Sequence, residues 1–401
     1  MKKQEFLTKY LVQREGSNSL KWDALDARFN DPNLISMWVA DMEFKVPETV
    51  SNALVDRVNH GVYGYSYVPD SYYESVINWN KKHYGANLVK EDFRLSFGVV
   101  TSIYWLISCF TKTDEAVLIQ TPVYYPFHNA VKDTGRKLVT NDLINTNGVY
   151  TIDFEDFENK IRDNQVKMFV LCSPHNPVGR VWTNEELEQM FAICEKYNVL
   201  IVADEIHQDI IIGDKKFIPA SIVANEKYKR LVITLNAASK TFNLACLLNS
   251  HIFIYDEELR ATYDAFAKIT NQIEVNIMGT IATEVAYNTG EEWLSSLLEV
   301  IGDNFKTVKT RLAAEAPEII VTELEGTYLT WLDLRNIIPS EKSKQFAQDE
   351  CNLAVDYGEW FGDSGYGFIR LNLATDPQIV DKALDNIIQN IKVWRKNHEN
   401  N

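Results

Sequence analysis

The sequence lacks several features that would each identify a class of protein. Its five cysteines are odd in number and never spaced Cys-x-x-Cys, which argues against a disulfide framework and against a zinc site. No apolar run approaches about 18 residues, and the N-terminal segment has no continuous apolar stretch, so we expect neither a membrane span nor a signal peptide. The net charge of −16 disfavours nucleic acid or an anionic membrane as the main partner. The scattered cysteines suit a reducing cytoplasm, with the thiols packed as small hydrophobic side chains.

What remains is the composition of an ordinary globular protein, with 46% hydrophobic and 24% charged residues. A chain of 401 residues exceeds one typical core, so we expect two domains. No repeat, low-complexity tract or Pro/Gly/Ser-rich linker is evident. We predict a large domain over residues 46–288 and a small domain over 289–401, with the N-terminal segment 1–45 joining the small domain.

Short apolar runs in the middle of the chain predict buried strands. They are AVLIQ (116–120), KMFVLC (167–172), NVLIVAD (198–204), LVITLN (231–236) and SHIFIY (250–255). Nearly continuous apolar strands are buried on both faces, as in a parallel or mixed α/β sheet. Between two of these runs, Thr183 and Glu186 have capping-box spacing ahead of an apolar stripe, which predicts a strand-helix-strand unit.

The later part of the chain has a different pattern. A long helical region (about 256–315) leads into YLTWLDL, a Gly-rich loop, FIRLNL and a final helix from Gln378 to about Arg395. This order predicts a smaller α+β domain. The predicted fold class is therefore α/β, with a large mixed, mostly parallel sheet, helices on both of its faces, and a smaller α+β domain.

Polar side chains follow three of the predicted strands at the point where each strand ends. Asn176 follows KMFVLC, Asp204 and His207 lie in DEIHQD, and Ser239 and Lys240 lie in AASKTFN. Ligands of such sheets bind beyond the carboxyl ends of the strands. We therefore expect these side chains to line one site.

Each of these residues also has an ordinary structural explanation. Asp204 could cap a turn, Asn176 could be a turn residue between prolines, and Lys240 could be a solvated lysine. Asp204, Glu205, His207 and Asp209 could hold a metal, although no further ligand cluster is evident. Several strand ends would have to carry these groups by coincidence, which favours a shared site.

Together the residues suit pyridoxal 5′-phosphate. Its aldehyde needs a lysine amine, its pyridine nitrogen an anionic partner, and its phosphate backbone donors and hydroxyls. In SFGVVTS (96–102), Gly98 precedes small residues that enter an apolar, helix-like run, as at the start of a backbone anion cradle. Tyr124, in TPVYYPF, is well placed to cover one face of the pyridine ring.

Motifs along the chain occur in an order that marks a known family. They are MWVADMEF (37–44), GVYGY (61–65), FGVV (97–100), PVYYPF (122–127), CSPHNPVGR (172–180), DEIH (204–207), SKTFNLA (239–245), GTYLTWLDL (326–334) and IRLN (369–372). Together they resemble the fold-type I pyridoxal-phosphate enzymes, and within them the cystathionine β-lyase/C–S lyase branch of the MalY/PatB type. The resemblance runs from about Trp22 to the C-terminal helix.

The resemblance implies a catalytic role for three residues. Lys240 would bind the cofactor covalently and then act as the proton-transfer base. Asp204 would pair with the pyridinium nitrogen, and Tyr124 would stack on the ring. Asn176 and His207 would lie near the cofactor's 3′-oxygen, and Asn176 would also contact the substrate.

The resemblance also implies how phosphate and substrate are held. Val99, Val100 and Ser239 would bind the phosphate, and Tyr65 would reach in from the other subunit of a homodimer. Arg370 would take the substrate α-carboxylate in a bidentate pair.

Three positions depart from the family pattern. Cys246 stands where glycine usually follows SKTFNLA, which could perturb a turn behind the cofactor or add a thiol near it. Leu248 stands where many related aminotransferases carry a phosphate-binding arginine, so the phosphate must rely on other donors. Phe217 stands where the branch often has histidine, and we assign it no role.

The implied activity is cleavage of L-cystathionine or related L-cysteine S-conjugates, or of L-cysteine itself, to thiol, pyruvate and ammonia. An aminotransferase shares the early chemistry, and a cofactor-binding regulatory protein is a further alternative. No second arginine is obviously placed for an acidic side chain. An uncharged or zwitterionic thioether arm is therefore expected, with Tyr124 and residues near Trp38 forming its walls.

Overall fold

The structure, a computed structural model, describes residues 1–272 and 276–399. Its helices are α1 (Lys3–Tyr10), α2 (Leu20–Asp23), α3 (Leu25–Phe29), α4 (Glu48–His60), α5 (Asp70–Tyr84), α6 (Val99–Phe110), α7 (Pro126–Asp133), α8 (Phe154–Asn164), α9 (Asn184–Lys196), α10 (Val223–Glu226), α11 (Ala238–Thr241), α12 (Glu257–Ile269), α13 (Ile277–Thr289), α14 (Glu291–Glu315), α15 (Ser343–Gln345) and α16 (Pro377–Glu399). Its strands are β1 (Ile35–Ser36), β2 (Phe93–Ser96), β3 (Ala116–Thr121), β4 (Lys137–Asp142), β5 (Ile144–Thr146), β6 (Val149–Thr151), β7 (Met168–Cys172), β8 (Leu200–Asp204), β9 (Val232–Asn236), β10 (Ser250–Ile254), β11 (Ile320–Val321), β12 (Leu329–Asp333), β13 (Leu353–Ala354), β14 (Asp356–Tyr357) and β15 (Phe368–Asn372).

The large sheet has seven strands in the order β2-β10-β9-β8-β7-β3-β4. Strands β9, β8, β7, β3 and β4 run parallel to one another, whereas β10 is antiparallel to both β9 and β2. Each of the five predicted apolar runs forms one of its strands. The predicted mixed, mostly parallel sheet is confirmed.

Both faces of the central part of this sheet are covered, which explains why its central strands are mostly apolar. In β7, Phe169 and Leu171 pack into one buried cluster with α8 and α9, whereas Met168 and Val170 pack into another with α6, α7 and α12. Successive strand residues point to opposite faces, so a strand with two covered faces is apolar at most of its positions. The predicted capping box begins α9: Glu186 N–H donates to Thr183 Oγ1 at 3.2 Å, and Thr183 N–H donates to the Glu186 carboxylate at 2.9 Å.

The C-terminal part contains a smaller antiparallel sheet, ordered β11-β12-β15-β14. Helices α14 and α16 pack against each other, and the N-terminal helix α1 packs on α14. Strand β1 from the N-terminal segment pairs with β13. The predicted boundary at residue 288 falls at the end of α13; the division into domains itself stays a prediction.

The helical region predicted over about 256–315 consists of three helices, α12, α13 and α14. None of the helices within the described ranges combines the length and the apolar composition that crossing a bilayer requires.

Candidate active site

The carboxyl ends of β7, β8 and β9 meet at one edge of the large sheet. These strands are parallel neighbours, and their registers pair Cys172 with Asp204 and Asp204 with Leu235. The loops that carry Asn176, His207 and Lys240 therefore begin side by side. The strand pattern alone predicts this convergence.

Lys240 lies on the short helix α11, directly after β9. The residue is half-buried, and its Nζ donates a hydrogen bond to the backbone carbonyl of Ala40 at 2.7 Å. The next residue, Thr241, donates to the buried carboxylate of Asp209 at 2.6 Å, and Trp79 Nε1 donates to the same carboxylate at 2.8 Å. These bonds fix α11 against the loop that follows β8.

The surroundings of Lys240 favour its neutral amine. Burial lowers the pKa of Lys240 to about 8; nearby Asp41 and Asp204 raise this pKa, and the charge of Arg370 lowers it further. A lysine with a lowered pKa can act as a nucleophile or a base near neutral pH.

Asp204 is a buried carboxylate that lacks a cationic hydrogen-bond partner. Its Oδ1 accepts the Ile206 N–H at 3.0 Å, and within residues 1–272 and 276–399 it forms no salt bridge. Burial raises the pKa of Asp204 to about 7, against the Ile206 hydrogen bond and the charge of Lys240, which lower it. A cation bound beside this carboxylate would stabilise its charged form.

Arg370, on β15, is buried and already has several acceptors. Its guanidinium donates to Asn176 Oδ1 at 2.8 Å, to the Trp38 carbonyl at 3.4 Å, and to the carboxylate of Asp356, which lies opposite it on β14. Its Nε is buried and has no hydrogen-bond partner among the described residues. The structure thus brings Arg370 and Asn176 together, as a shared substrate site requires.

His207 and Tyr124 both lie within reach of the charge of Arg370. Burial lowers the pKa of His207 well below its usual value, and the charges of Lys240 and Arg370 act in the same direction. The ring of His207 packs edge-on against Tyr328 at 5.8 Å, and its buried Nδ1 lacks a partner in the part of the chain that is described. Tyr124 N–H donates to the carbonyl of Asn176 at 3.1 Å, which holds the tyrosine beside the loop after β7.

The predicted phosphate residues lie at helix starts. Val99 and Val100 begin α6, and no side chain caps this helix at Gly98. Ser239 lies in the first turn of α11, which also has no side-chain cap. Uncapped N-terminal N–H groups favour an anion. Leu248, at the position of the family's arginine, is half-exposed and adds no donor.

Tyr65 differs from the other predicted site residues, which are all buried or half-buried. It lies between α4 and α5, outside regular structure, and its side chain is fully exposed. Cys246, at the position of the usual glycine, is exposed in a short turn after α11.

Sequence reasoning missed the residues that hold the segment MWVADMEF over the site. Ala40 O accepts from Lys240 and, at 2.8 Å, from the Tyr328 hydroxyl. Asn243 donates to two carbonyls of this segment at 3.0 Å each, and Asn372 donates to two others at 2.6 Å each. Both asparagines stand inside family motifs, SKTFN and IRLN, and that position was the available signal.

The acidic residues around His207 are occupied by other partners. Glu205 accepts the Ala220 N–H at 2.6 Å, and Asp209 accepts from Trp79, Tyr84 and Thr241. Within the two described ranges, no group of three or more His, Cys, Asp or Glu side chains is arranged to hold a metal ion.

The residues present fit pyridoxal 5′-phosphate. The buried Asp204 carboxylate has no cationic hydrogen-bond partner, and the His207 Nδ1 and Arg370 Nε atoms are buried without partners, all among the described residues. Lys240 has a lowered pKa and hydrogen-bonds only a backbone carbonyl in that part of the chain. A cofactor with a ring nitrogen, a polar oxygen and a phosphate would complement these groups.

Comparisons with known proteins agree with this geometry. The family described as aminotransferase class I and II matches residues 35–387. The chain is 34% identical over 361 residues to cystathionine beta-lyase PatB of Bacillus subtilis, a match that covers 90% of this chain and 93% of the relative. It is similar to the crystal structure of cystalysin from Treponema denticola, which contains pyridoxal 5′-phosphate, with a TM-score of 0.92, 32% identity, and 96% and 98% of the two chains covered. It is also similar to the pyridoxal-phosphate-bound C–S lyase from Staphylococcus hominis, with a TM-score of 0.89, 32% identity, and 94% and 96% covered.

Proposed function

Because the chain belongs to the class I and II aminotransferase family, we propose that it is a pyridoxal-phosphate-dependent carbon–sulfur β-lyase. It would cleave L-cystathionine or related L-cysteine S-conjugates, or L-cysteine, to thiol, pyruvate and ammonia. The observation that carries this choice is the 34% identity, over 90% of the chain, to a protein named cystathionine beta-lyase. The relatives with bound pyridoxal phosphate support the same cofactor here.

Each residue of the site would have its own role in this reaction. When bound, the cofactor supplies an electron sink for negative charge at the substrate Cα. Arg370, with Asn176 beside it, would bind the α-carboxylate. The Asp204 carboxylate would keep the ring nitrogen protonated, and Tyr124 would cover the ring.

Lys240 would take the Cα proton. A pKa of about 8 leaves about a tenth of the amine neutral at pH 7, far more than an ordinary lysine provides. With that proton removed, the β-carbon–sulfur bond of the substrate breaks and the thiolate leaves with the bonding electron pair. The remaining fragment hydrolyses to pyruvate and ammonia.

The alternative with a specific observation behind it is an aminotransferase, because the matching family carries that description. Both activities need Lys240, Asp204 and Arg370 in the same roles. They differ in their products, so product analysis with and without a keto acid separates them.

We expect Arg370→Ala to lower kcat/KM for a cysteine S-conjugate by roughly tenfold to a hundredfold, mostly through KM, because a buried charge-assisted contact is lost. Pyruvate release measured over a range of substrate concentrations checks this. Arg335→Gln is a matched control. Arg335 follows β12, a strand of the same smaller sheet as β15, but its guanidinium pairs with Asp333 and is not expected to bind substrate. An unchanged KM in Arg370→Ala would exclude Arg370 as the carboxylate site.

We also propose a homodimer with shared active sites, in the cytoplasm. The segment between α4 and α5 exposes Tyr63, Tyr65 and Tyr67. The relative solvent exposure of Tyr65 is 108%, and that of Tyr67 is 82%. Exposed aromatic clusters mark interaction surfaces. A second copy that covers them could place Tyr65 near the partner's phosphate site. The five cysteines are free, which suits a reducing compartment.

Tyr65→Phe is expected to weaken cofactor binding about tenfold, through loss of one hydrogen bond to a charged phosphate. Titration of cofactor-free protein with pyridoxal phosphate measures this change, and sedimentation should find a dimer. Tyr67→Phe serves as the control in the same segment. An active monomer, or an unchanged affinity in Tyr65→Phe, would contradict the shared site.

A further inference from the structure

Arg28 is a cation without a carboxylate partner among the described residues, and its charge acts on the same carboxylate, Asp356, as the charge of Arg370. It lies near the end of α3, and its guanidinium carbon is 4.3 Å from the centre of the Trp360 ring. Its side chain is exposed, and it forms no ion pair with any residue of the described ranges. The family motifs of the sequence contain no sign of it, because α3 precedes all of them.

Trp360, the aromatic residue that Arg28 contacts, is next in sequence to a residue that contacts Arg370. Phe361 directly follows Trp360, and the Arg370 guanidinium carbon lies 5.0 Å from its ring. Tyr125, the neighbour of Tyr124, has its ring centre 6.3 Å from that of Trp360 and 6.4 Å from that of Phe361. Two guanidiniums thus rest on consecutive aromatic side chains, with Tyr125 beside both.

The two arginines differ in depth. Phe361 and Arg370 are buried, whereas Trp360 is half-buried and Arg28 is exposed. Arg370 therefore contacts the buried end of this aromatic group, and Arg28 contacts its solvent-exposed end. A substrate whose α-carboxylate binds to Arg370 would extend its other end toward Arg28.

The charge of Arg28 reaches the groups around Arg370. Burial raises the pKa of Asp356, and the charges of Arg370 and then Arg28 lower it. Burial and Asp356 raise the pKa of Tyr125, and both arginines again lower it. A negative group in this region is therefore stabilised by both cations.

We propose that Arg28 binds a carboxylate at the far end of the leaving group, so that the preferred substrates are thioethers with a carboxylate beyond the sulfur. This inference rests on the proposed lyase function and names its substrate class. The sequence motifs alone indicate no such second arginine. The aromatic walls formed by Trp360 and Tyr125 would cover the thioether arm between the two arginines.

The kinetic test compares two substrates of nearly equal shape, S-(2-carboxyethyl)-L-cysteine and its neutral amide S-(2-carbamoylethyl)-L-cysteine. The holoenzyme is expected to prefer the carboxylate, and Arg28→Gln to reduce that preference roughly fivefold through KM, in the range of a partly exposed ion pair. Arg28→Lys keeps the charge and should retain part of the preference. Arg335→Gln, which removes another arginine packed on an aromatic ring, should leave it unchanged.

A binding measurement separates this inference from the lyase function. Pimelate has the chain length of the carboxyethyl substrate, and heptanoate lacks its second carboxylate. Calorimetry should find that wild-type holoenzyme prefers pimelate and that Arg28→Gln loses this preference. If neither cysteine conjugate reacts but this result holds, the lyase function fails and the Arg28 site stands. If Arg28→Gln leaves both preferences unchanged, or weakens the charged and neutral ligands equally, the Arg28 site is wrong.

Discussion

Lys240→Ala is expected to lose the visible absorbance of the lysine-bound cofactor and to lower turnover by about a thousandfold or more. The side chain follows β9 at the edge where the ends of β7 and β8 also lie, and burial lowers its pKa to about 8. The substitution removes both the covalent anchor and the base. Absorbance spectra and pyruvate release of the purified variant measure the two losses separately.

Two variants make this test specific to Lys240. Lys240→Arg keeps a cation that can donate to the Ala40 carbonyl, but its guanidinium cannot replace the amine. It should therefore behave like Lys240→Ala. Lys268→Ala, which changes an exposed lysine on α12, should keep both absorbance and turnover. If Lys240→Ala keeps both, another lysine is the anchor.

Asp204→Asn is expected to lower turnover by about a hundredfold or more, a cost of about 3 kcal/mol in the transition state. Asparagine has nearly the same shape but cannot stabilise a protonated ring nitrogen by its charge. The carboxylate is buried without a salt bridge in the described chain, and burial raises its pKa to about 7, so a bound cation would stabilise its charged form.

Cofactor content distinguishes this role from a structural one. Asp204→Asn should retain most of its bound cofactor, because Lys240 and the phosphate contacts remain, while its turnover falls. Absorbance per chain and pyruvate release should be measured on the same preparation. Near-normal turnover with full cofactor content would contradict the proposed role of Asp204.

The large sheet and the convergence of Asn176, Asp204 and Lys240 could be predicted from the sequence because both depend on local patterns. Apolar runs determine which segments are buried on both faces, and parallel neighbours must end at the same edge. These two patterns suffice to predict that Asn176, Asp204 and Lys240 lie close together. They give no distance between the three side chains, because the loops after the strands have no periodicity.

The residues that could not be predicted come from packing between distant segments. The Ala40 carbonyl accepts from Lys240 within a segment that Asn243 and Asn372 hold by side-chain hydrogen bonds. Asp356 meets Arg370 through the pairing of β14 with β15, two strands of very different length. Arg28 approaches Trp360 across most of the length of the chain, and such a contact leaves no local pattern in the sequence.

We propose that the protein eliminates a thiol from its substrate and does not transfer the amino group. The direct measurement follows thiol, pyruvate and ammonia from L-cystathionine with the purified holoenzyme, with and without an added keto acid. We predict that the three products form in equal amounts without the keto acid and that its addition changes little. If thiol is absent and amino-group transfer appears only with the keto acid, the lyase function is wrong and the protein is an aminotransferase.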